Sequence, residues 1–270
     1  GRTVHETGRP GRGASRVYQT IKIKEIMKYV KVCGLRDPKN IEEVIKAGAT
    51  AVGMIFYDKS PRGVTIETDS DKIIFRTEME DKMQVPRFGV FVNESIETVL
   101  QVYYDYSLSV IQLHGEESPE YCRQMRDKMQ NIWEKQIVPA YRSIGKELPA
   151  DCCCQIVKTI SISKPEDLQK YKEYVGGVDF FLFDTKCEEK GGSGQQFDWS
   201  ILNQYDGDVE FLLSGGIGPD DLERCKAFNH PKCGGIDINS KFEVSPGIKD
   251  AQKVKEFIDA LGPEYKREIE

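Results

Sequence analysis

The chain lacks the features that would place it in several large functional classes. No apolar run approaches the roughly 18–20 residues that a membrane span requires. A net charge of −6 over 270 residues leaves no basic footprint for nucleic acid. Histidine is scarce, with three residues at positions 5, 114 and 230, and none stands in a His-Glu-x-x-His zinc pattern. There is no Gly-x-Ser-x-Gly nucleophile elbow and no P-loop. Cysteine is not scarce, at eight, but its adjacent run Cys152-Cys153-Cys154 suits neither zinc-ligand spacing nor easy disulfide geometry. The cysteines read as reduced thiols of a cytoplasmic protein.

Charge is unevenly distributed. Residues 1–27 hold six basic and two acidic side chains, a net +4 that leaves −10 on the rest. This stretch is rich in Gly and Arg without apolar periodicity. It reads as a disordered tail or an over-extended start, with Met27 opening the folded part. As a nucleic-acid arm it is weak, having few charges and a single aromatic, Tyr18.

From Tyr29 the chain alternates between two hydrophobic periods. The β-branched run Tyr29-Val-Lys-Val32 leads to Cys33, and Asp37-Pro38 then reads as a helix N-cap with proline in the first turn. Ile41, Val44, Ile45 and Gly48 follow at helical spacing. Further short apolar strands are expected at 51–56, 86–92, 108–113, 155–162, 178–183, 209–213 and 235–239. Helix faces are read at Ile96, Val99, Leu100 and Tyr103, and at Ala251, Val254, Ile258 and Leu261. Ser118-Pro119 caps another helix, and Ser163 to Glu166 has the spacing of a capping box.

Near-continuous apolar strands alternating with helices imply a parallel sheet buried on both faces. Eight such units in about 235 residues predict an α/β fold, a single-domain TIM (β/α)8 barrel. The barrel is expected over residues 28–262, with 263–270 as a C-terminal tail. A doubly wound sheet is the alternative, but no Gly-x-Gly-x-x-Gly follows the first strand. Residues 129–153 break the rhythm and are expected as an insertion before strand five. Ile132–Val138 within it has strand composition, yet 155–162 is preferred because a helix start follows it directly.

In such a barrel the site is assembled from residues at the carboxyl ends of the strands. Those positions hold Cys33, Arg36, Ser60-Pro61-Arg62, Asn93, His114, Asp184, Gly215-Gly216, Asp237, Asn239 and Ser240. Cys33 there is a nucleophile, a base or a packed sulfur. Asp184 follows Phe181-Leu182-Phe183, an apolar setting that disfavours the charged carboxylate and suits acid catalysis. An ordinary turn aspartate is the plain alternative. The loop beyond it, with Gly191-Gly192-Ser193-Gly194, reads as a lid or a surface linker. Gly215-Gly216 and Asn239-Ser240, after strands seven and eight, have the placement of a barrel phosphate site. His114 has the position to hydrogen-bond substrate or orient a neighbour. Arg62 offers a planar fork to a carboxylate, or is a solvated loop residue. His5 and His230 lie off this rim.

These segments, in order, resemble the phosphoribosylanthranilate isomerase family of tryptophan biosynthesis. The resemblance is carried by Lys-Val-Cys-Gly-Leu-Arg (31–36), Lys-Ser-Pro-Arg (59–62), Phe-Gly-Val-Phe-Val-Asn (88–93) and Gln-Leu-His-Gly-Glu (112–116). It continues through Phe-Asp-Thr-Lys (183–186), Gly-Gly-Ser-Gly-Gln-Gln-Phe-Asp-Trp (191–199), Leu-Ser-Gly-Gly-Ile (213–217) and Ser-Pro-Gly-Ile-Lys-Asp (245–250). It implies an Amadori rearrangement of a phosphorylated aminoaldose without metal or cofactor. By similarity Asp184 is the general acid, Cys33 the general base, and Arg62 the clamp on the anthranilate carboxylate. His114 and Asp237 would contact the substrate. Gly192, Ser193, Gly215, Gly216, Asn239 and Ser240 would hold the phosphate. The family's partners would be its small-molecule substrate alone, neither nucleic acid nor membrane, in a monomer or homodimer.

Two features depart from the family pattern. Asp-Ile-Asn-Ser-Lys-Phe-Glu (237–243) stands where Asp-Val-Ser-Ser-Gly-Val-Glu is usual, and 129–153 is longer than the family needs. Competing readings are the histidine-pathway aminoaldose isomerase, which resembles this barrel but uses two aspartates, and a catalytically dead phosphate-binding scaffold.

Overall fold

The computed structural model describes residues 29–64, 85–145, 154–185 and 198–265. The segment 1–27 and the lid candidates Gly192 and Ser193 lie outside the described residues, as does part of 129–153. Eight parallel strands close into one barrel in sequence order. They are β1 (Tyr29–Val32), β2 (Ala51–Phe56), β3 (Arg87–Phe91), β4 (Val110–Leu113), β5 (Gln155–Ile162), β6 (Phe180–Thr185), β7 (Glu210–Ser214) and β8 (Cys233–Ile238). The chain is thus the (β/α)8 barrel that its hydrophobic rhythm predicts.

Helices start where the local chemistry supplies caps. Asp37 accepts from the Asn40 amide at 2.7 Å and opens α1 (Pro38–Lys46), with Pro38 in the first turn, where no amide is needed. Ser95 does the same for α2 (Ile96–Asp105), and Ser118 for α3 (Pro119–Ile132). The spacing over 163–166 is corrected by one residue. The Ser163 hydroxyl and the Ser163 and Lys164 amides all donate to Asp167, not Glu166, ahead of the short α5 (Pro165–Leu168). Pro165 takes the first helical position and moves the reciprocal carboxylate one step along. The rival strand at 132–138 is helical: α3 runs through a π turn (Trp133–Ile137) into α4 (Val138–Ser143). The remaining helices are α6 (Tyr171–Tyr174), α7 (Leu222–Ala227) and α8 (Ala251–Leu261), and a further turn at Pro263–Tyr265 buries Tyr265.

Alternation along the strands sorts the barrel into two cores. Outward residues such as Val30, Val32, Phe181, Phe183, Phe211, Leu213, Ile236 and Ile238 join Ile41, Val44, Val254 and Ile258 from the helices. Inward residues Ala51, Phe88, Val110, Val157, Leu182 and Leu212 form a separate apolar plug, with Tyr29 and Phe180 against it. Two residues further along the same inward face, the composition changes. There Lys31, Gln112, Thr159, Asp184, Ser214 and Asp237 are all buried. A polar tier therefore lies directly above the plug, at the carboxyl ends of the strands.

One buried ion pair belongs to the outer layer. Lys158 Nζ lies 2.9 Å from Glu117 Oε2, with both side chains almost wholly buried. Glu117 also accepts from the Asn93 and Gly115 amides at 2.8 and 2.9 Å, tying the loops after β3 and β4 together. Removing one partner leaves the other charge uncompensated. Glu117→Gln is expected to lower unfolding free energy by about 3 kcal/mol in a urea titration, and a loss near zero would contradict the assignment.

Candidate active site

Cys33 is the first residue past β1, its amide bonded to the Ile238 carbonyl of β8 at 2.9 Å. Its side chain occupies space left by Gly53 on β2: a Cβ at Gly53 would lie 2.8 Å from Cys33 Sγ and 3.2 Å from Lys31 Cε. Thiol and lysine stem therefore meet at one point. Burial pushes the Cys33 thiol up, and the nearby Lys31 ammonium pulls the other way without cancelling it. Lys31 itself is opposed by burial, yet Asp237 at 2.6 Å and Cys33 hold it above its ordinary value. Asp237 also accepts from the Ser214 hydroxyl at 3.0 Å. The expected substrate contact Asp237 is thus already engaged on two sides, from β1 and β7.

Asp184 is part of β6 rather than of a turn, in register with Ser161 of β5 and Ser214 of β7. It is 8% exposed. His114 faces it, Nε2 to Asp184 Oδ2 being 3.8 Å. The other ring nitrogen is fixed from below, with Gln112 Nε2 at 3.1 Å and Thr159 Oγ1 at 3.2 Å from Nδ1. Gln112 and Thr159 thereby aim the imidazole at the carboxyl group. Gln112 Oε1 is a buried acceptor without a partner among the described residues.

Arg62, from the loop after β2, has its stem against Gly34, the residue after Cys33. Its Nε and Nη2 donate to Glu243 Oε1 and Oε2, each at 2.8 Å, a two-point fork. Glu243 Oε1 also accepts from Lys249 Nζ at 2.7 Å and from the Gly247 amide at 3.1 Å. Burial opposes ionisation of Glu243, but these donors outweigh it and hold the carboxyl at about 2. Lys249 donates a second bond to Asn239 Oδ1 at 2.7 Å. Gly34, with φ +73°, lets the chain pass beneath: a Cβ there would lie 2.6 Å from Asn239 Oδ1 and 2.8 Å from Arg62 Cδ.

The phosphate candidates divide. Gly215 has φ +116° and packs so closely on Thr185 that a Cβ would fall 2.0 Å from its carbonyl oxygen. Gly216, at φ +67°, is exposed, and a Cβ there would meet nothing within 4 Å. Ser240 is also exposed, at the start of the 3-10 turn Ser240–Phe242 after β8. The Asn239 side chain turns its Oδ1 to Lys249 Nζ. Lys241 lays its stem against Gly218, joining the two loops. Arg36 donates to the Pro61 carbonyl at 3.4 Å, and His230 off the rim is bonded to Tyr205 and Lys232 of the outer layer.

Lys31, Gln112, Thr159, Ser214, Glu243 and Lys249 are site residues to which the sequence alone assigns no role. Lys31 carried a signal: a charged residue inside an apolar strand, two positions before Cys33 and hence on the same face.

Comparison with known proteins meets this geometry. Residues 30–148 and 143–260 match the family described as N-(5'phosphoribosyl)anthranilate (PRA) isomerase. An N-(5'-phosphoribosyl)anthranilate isomerase from Parabacteroides distasonis is 40% identical over 232 residues, covering 86% of this chain and 92% of the relative. The crystal structure of phosphoribosyl anthranilate isomerase from Thermotoga maritima superposes with a TM-score of 0.65 at 30% identity, over 87% of this chain and 98% of that one. Another structure of such an isomerase, in complex with reduced 1-(o-carboxyphenylamino)-1-deoxyribulose 5-phosphate, gives a TM-score of 0.64 at 28% identity, over 87% and 98%.

Proposed function

Since the chain belongs to the N-(5'-phosphoribosyl)anthranilate isomerase family, we propose that it performs that family's aldose–ketose rearrangement with Asp184 as acid and Cys33 as base. The observation that carries this reading is the placement of both groups. They share the inward, carboxyl-end face of one barrel, above the apolar plug, with Cys33 just past β1 and Asp184 on β6, two strands that are not neighbours. Acid and base thus approach the substrate from different directions.

Asp184 gives its proton to the furanose ring oxygen. The C1'–O bond breaks and the electron pair goes to that oxygen, leaving a protonated imine. The Cys33 thiolate takes the proton from C2', and its bonding electrons form the C1'–C2' double bond of an enolamine. Tautomerisation moves a proton from the 2' hydroxyl to C1' and gives the ketone. His114 orients the Asp184 carboxyl, and Lys31 keeps a cation beside the thiolate. Asp237, held by Lys31 and Ser214, faces the aminoaldose. Arg62 meets the anthranilate carboxylate. Gly215, Gly216, Ser240 and the Asn239 backbone receive the phosphate, joined by Gly192 and Ser193. The phosphate handle supplies orientation, so two side chains suffice for the proton transfers.

Iodoacetamide tests the placement of Cys33. Inactivation is expected to map to Cys33 and to be slowed by the reduced product analogue. Because burial raises the thiol, the alkylation rate should climb with pH beyond the ordinary cysteine range. Protection by the analogue with all label on Cys154 or the cysteines adjoining it would contradict the assignment.

A further inference from the structure

The polar cluster around Arg62 holds more than a clamp requires. A guanidinium has five N–H groups and two edges that can each grip a carboxylate in a two-point bond. Glu243 already occupies the edge formed by Nε and Nη2. Among the described residues, no hydrogen bond engages the end-on edge formed by Nη1 and the outer N–H of Nη2. Exposure follows the same gradient: the Arg62 side chain keeps 23%, Glu243 6% and Lys249 none.

Charge makes the third member necessary. Arg62 paired with Glu243 alone would be neutral and would attract a second carboxylate weakly. Lys249, 2.7 Å from Glu243 Oε1, restores one positive charge to the cluster. It is also anchored to Asn239, which follows β8, so the cluster is fixed to the barrel rather than to the loop. The Arg62 stem in turn lies against the position of Gly34, the residue after Cys33. The clamp and the base are therefore held by one contiguous set of contacts.

We propose that Glu243, backed by Lys249, is a positioning residue that turns the end-on edge of Arg62 toward the aryl carboxylate and so sets selectivity for carboxylate-bearing aminoaldoses. The inference rests on the reading of Arg62 as the carboxylate contact. It assigns Glu243 no proton transfer.

The test compares two inhibitors, the reduced product analogue and its counterpart lacking the ring carboxylate, on the full chain. In Glu243→Gln the carboxylate-bearing inhibitor is expected to weaken about tenfold, as for loss of one charged hydrogen-bond partner. The other inhibitor should bind as it does to the wild type, and the loss in turnover should fall on KM rather than kcat. The double variant Glu243→Gln/Lys249→Met removes the buried charge left behind, so it keeps the comparison available if the single variant folds poorly. It should show the same selective loss. Selectivity intact in these variants but lost in Arg62→Lys would overturn the role of Glu243 while leaving Arg62 as the contact. Selectivity intact in Arg62→Lys as well would overturn the reading of Arg62 itself. Equal weakening of both inhibitors would mean a merely structural role and would also overturn the proposal.

Discussion

Asparagine in place of Asp184 is expected to lower kcat by about 1,000- to 10,000-fold, with the affinity for the reduced product analogue little changed. The substitution keeps the size and most hydrogen-bonding capacity of the side chain, and the backbone position is fixed by pairing with both neighbouring strands. What it removes is the proton. Ring opening without an acid must expel an alkoxide, and neither His114 at 3.8 Å from the carboxyl nor the Ser161 and Ser214 positions in register replaces an acid aimed at the ring oxygen. Steady-state kinetics with the analogue's dissociation constant measured in parallel separates the two effects. A kcat within about tenfold of the wild type would remove Asp184 from the proton transfer.

Serine at position 33 is expected to cost about 1,000-fold in kcat/KM and to make proton abstraction from C2' the slow step. The proposed base acts as thiolate, and burial raises the Cys33 thiol above its ordinary value, so only a minor fraction is ionised near neutrality. The productive form needs that thiolate together with a protonated Asp184, so a pH profile of kcat/KM reports both groups at once. Substrate deuterated at C2' isolates the base: the primary isotope effect on kcat/KM should be larger in Cys33→Ser than in the wild type. A rate and an isotope effect both unchanged by the substitution would assign the proton transfer to another group.

Sequence carried the barrel because its signal is local. Each strand is a short apolar run, and the helix starts at Asp37, Ser95 and Ser118 are bonds between residues three apart. The rim residues followed from the strand ends. In the barrel, the two-residue period then puts Lys31 on the face of Cys33, Leu182 on that of Asp184 and Gln112 on that of His114. The partners did not follow. Lys31 and Asp237 are 206 positions apart, and Arg62 and Glu243 are 181 apart. Such pairs exist only because the barrel closes, which brings β8 against β1. Glu243 and Lys249 sit in a small hairpin, Glu243–Ser245 with Ile248–Lys249, whose shape no hydrophobic pattern announces. The displacement from Glu166 to Asp167 is the reverse case, a local rule shifted by one residue through a neighbouring proline.

The account is tested most directly by mixing the purified full chain with freshly made N-(5'-phosphoribosyl)anthranilate and following its fluorescence in the presence of a chelator. The prediction is decay faster than spontaneous hydrolysis, with the 1-deoxyribulose 5-phosphate derivative as product by mass spectrometry and no added metal or cofactor. Decay no faster than hydrolysis, yielding anthranilate from a chain that still binds the reduced product analogue, would contradict it.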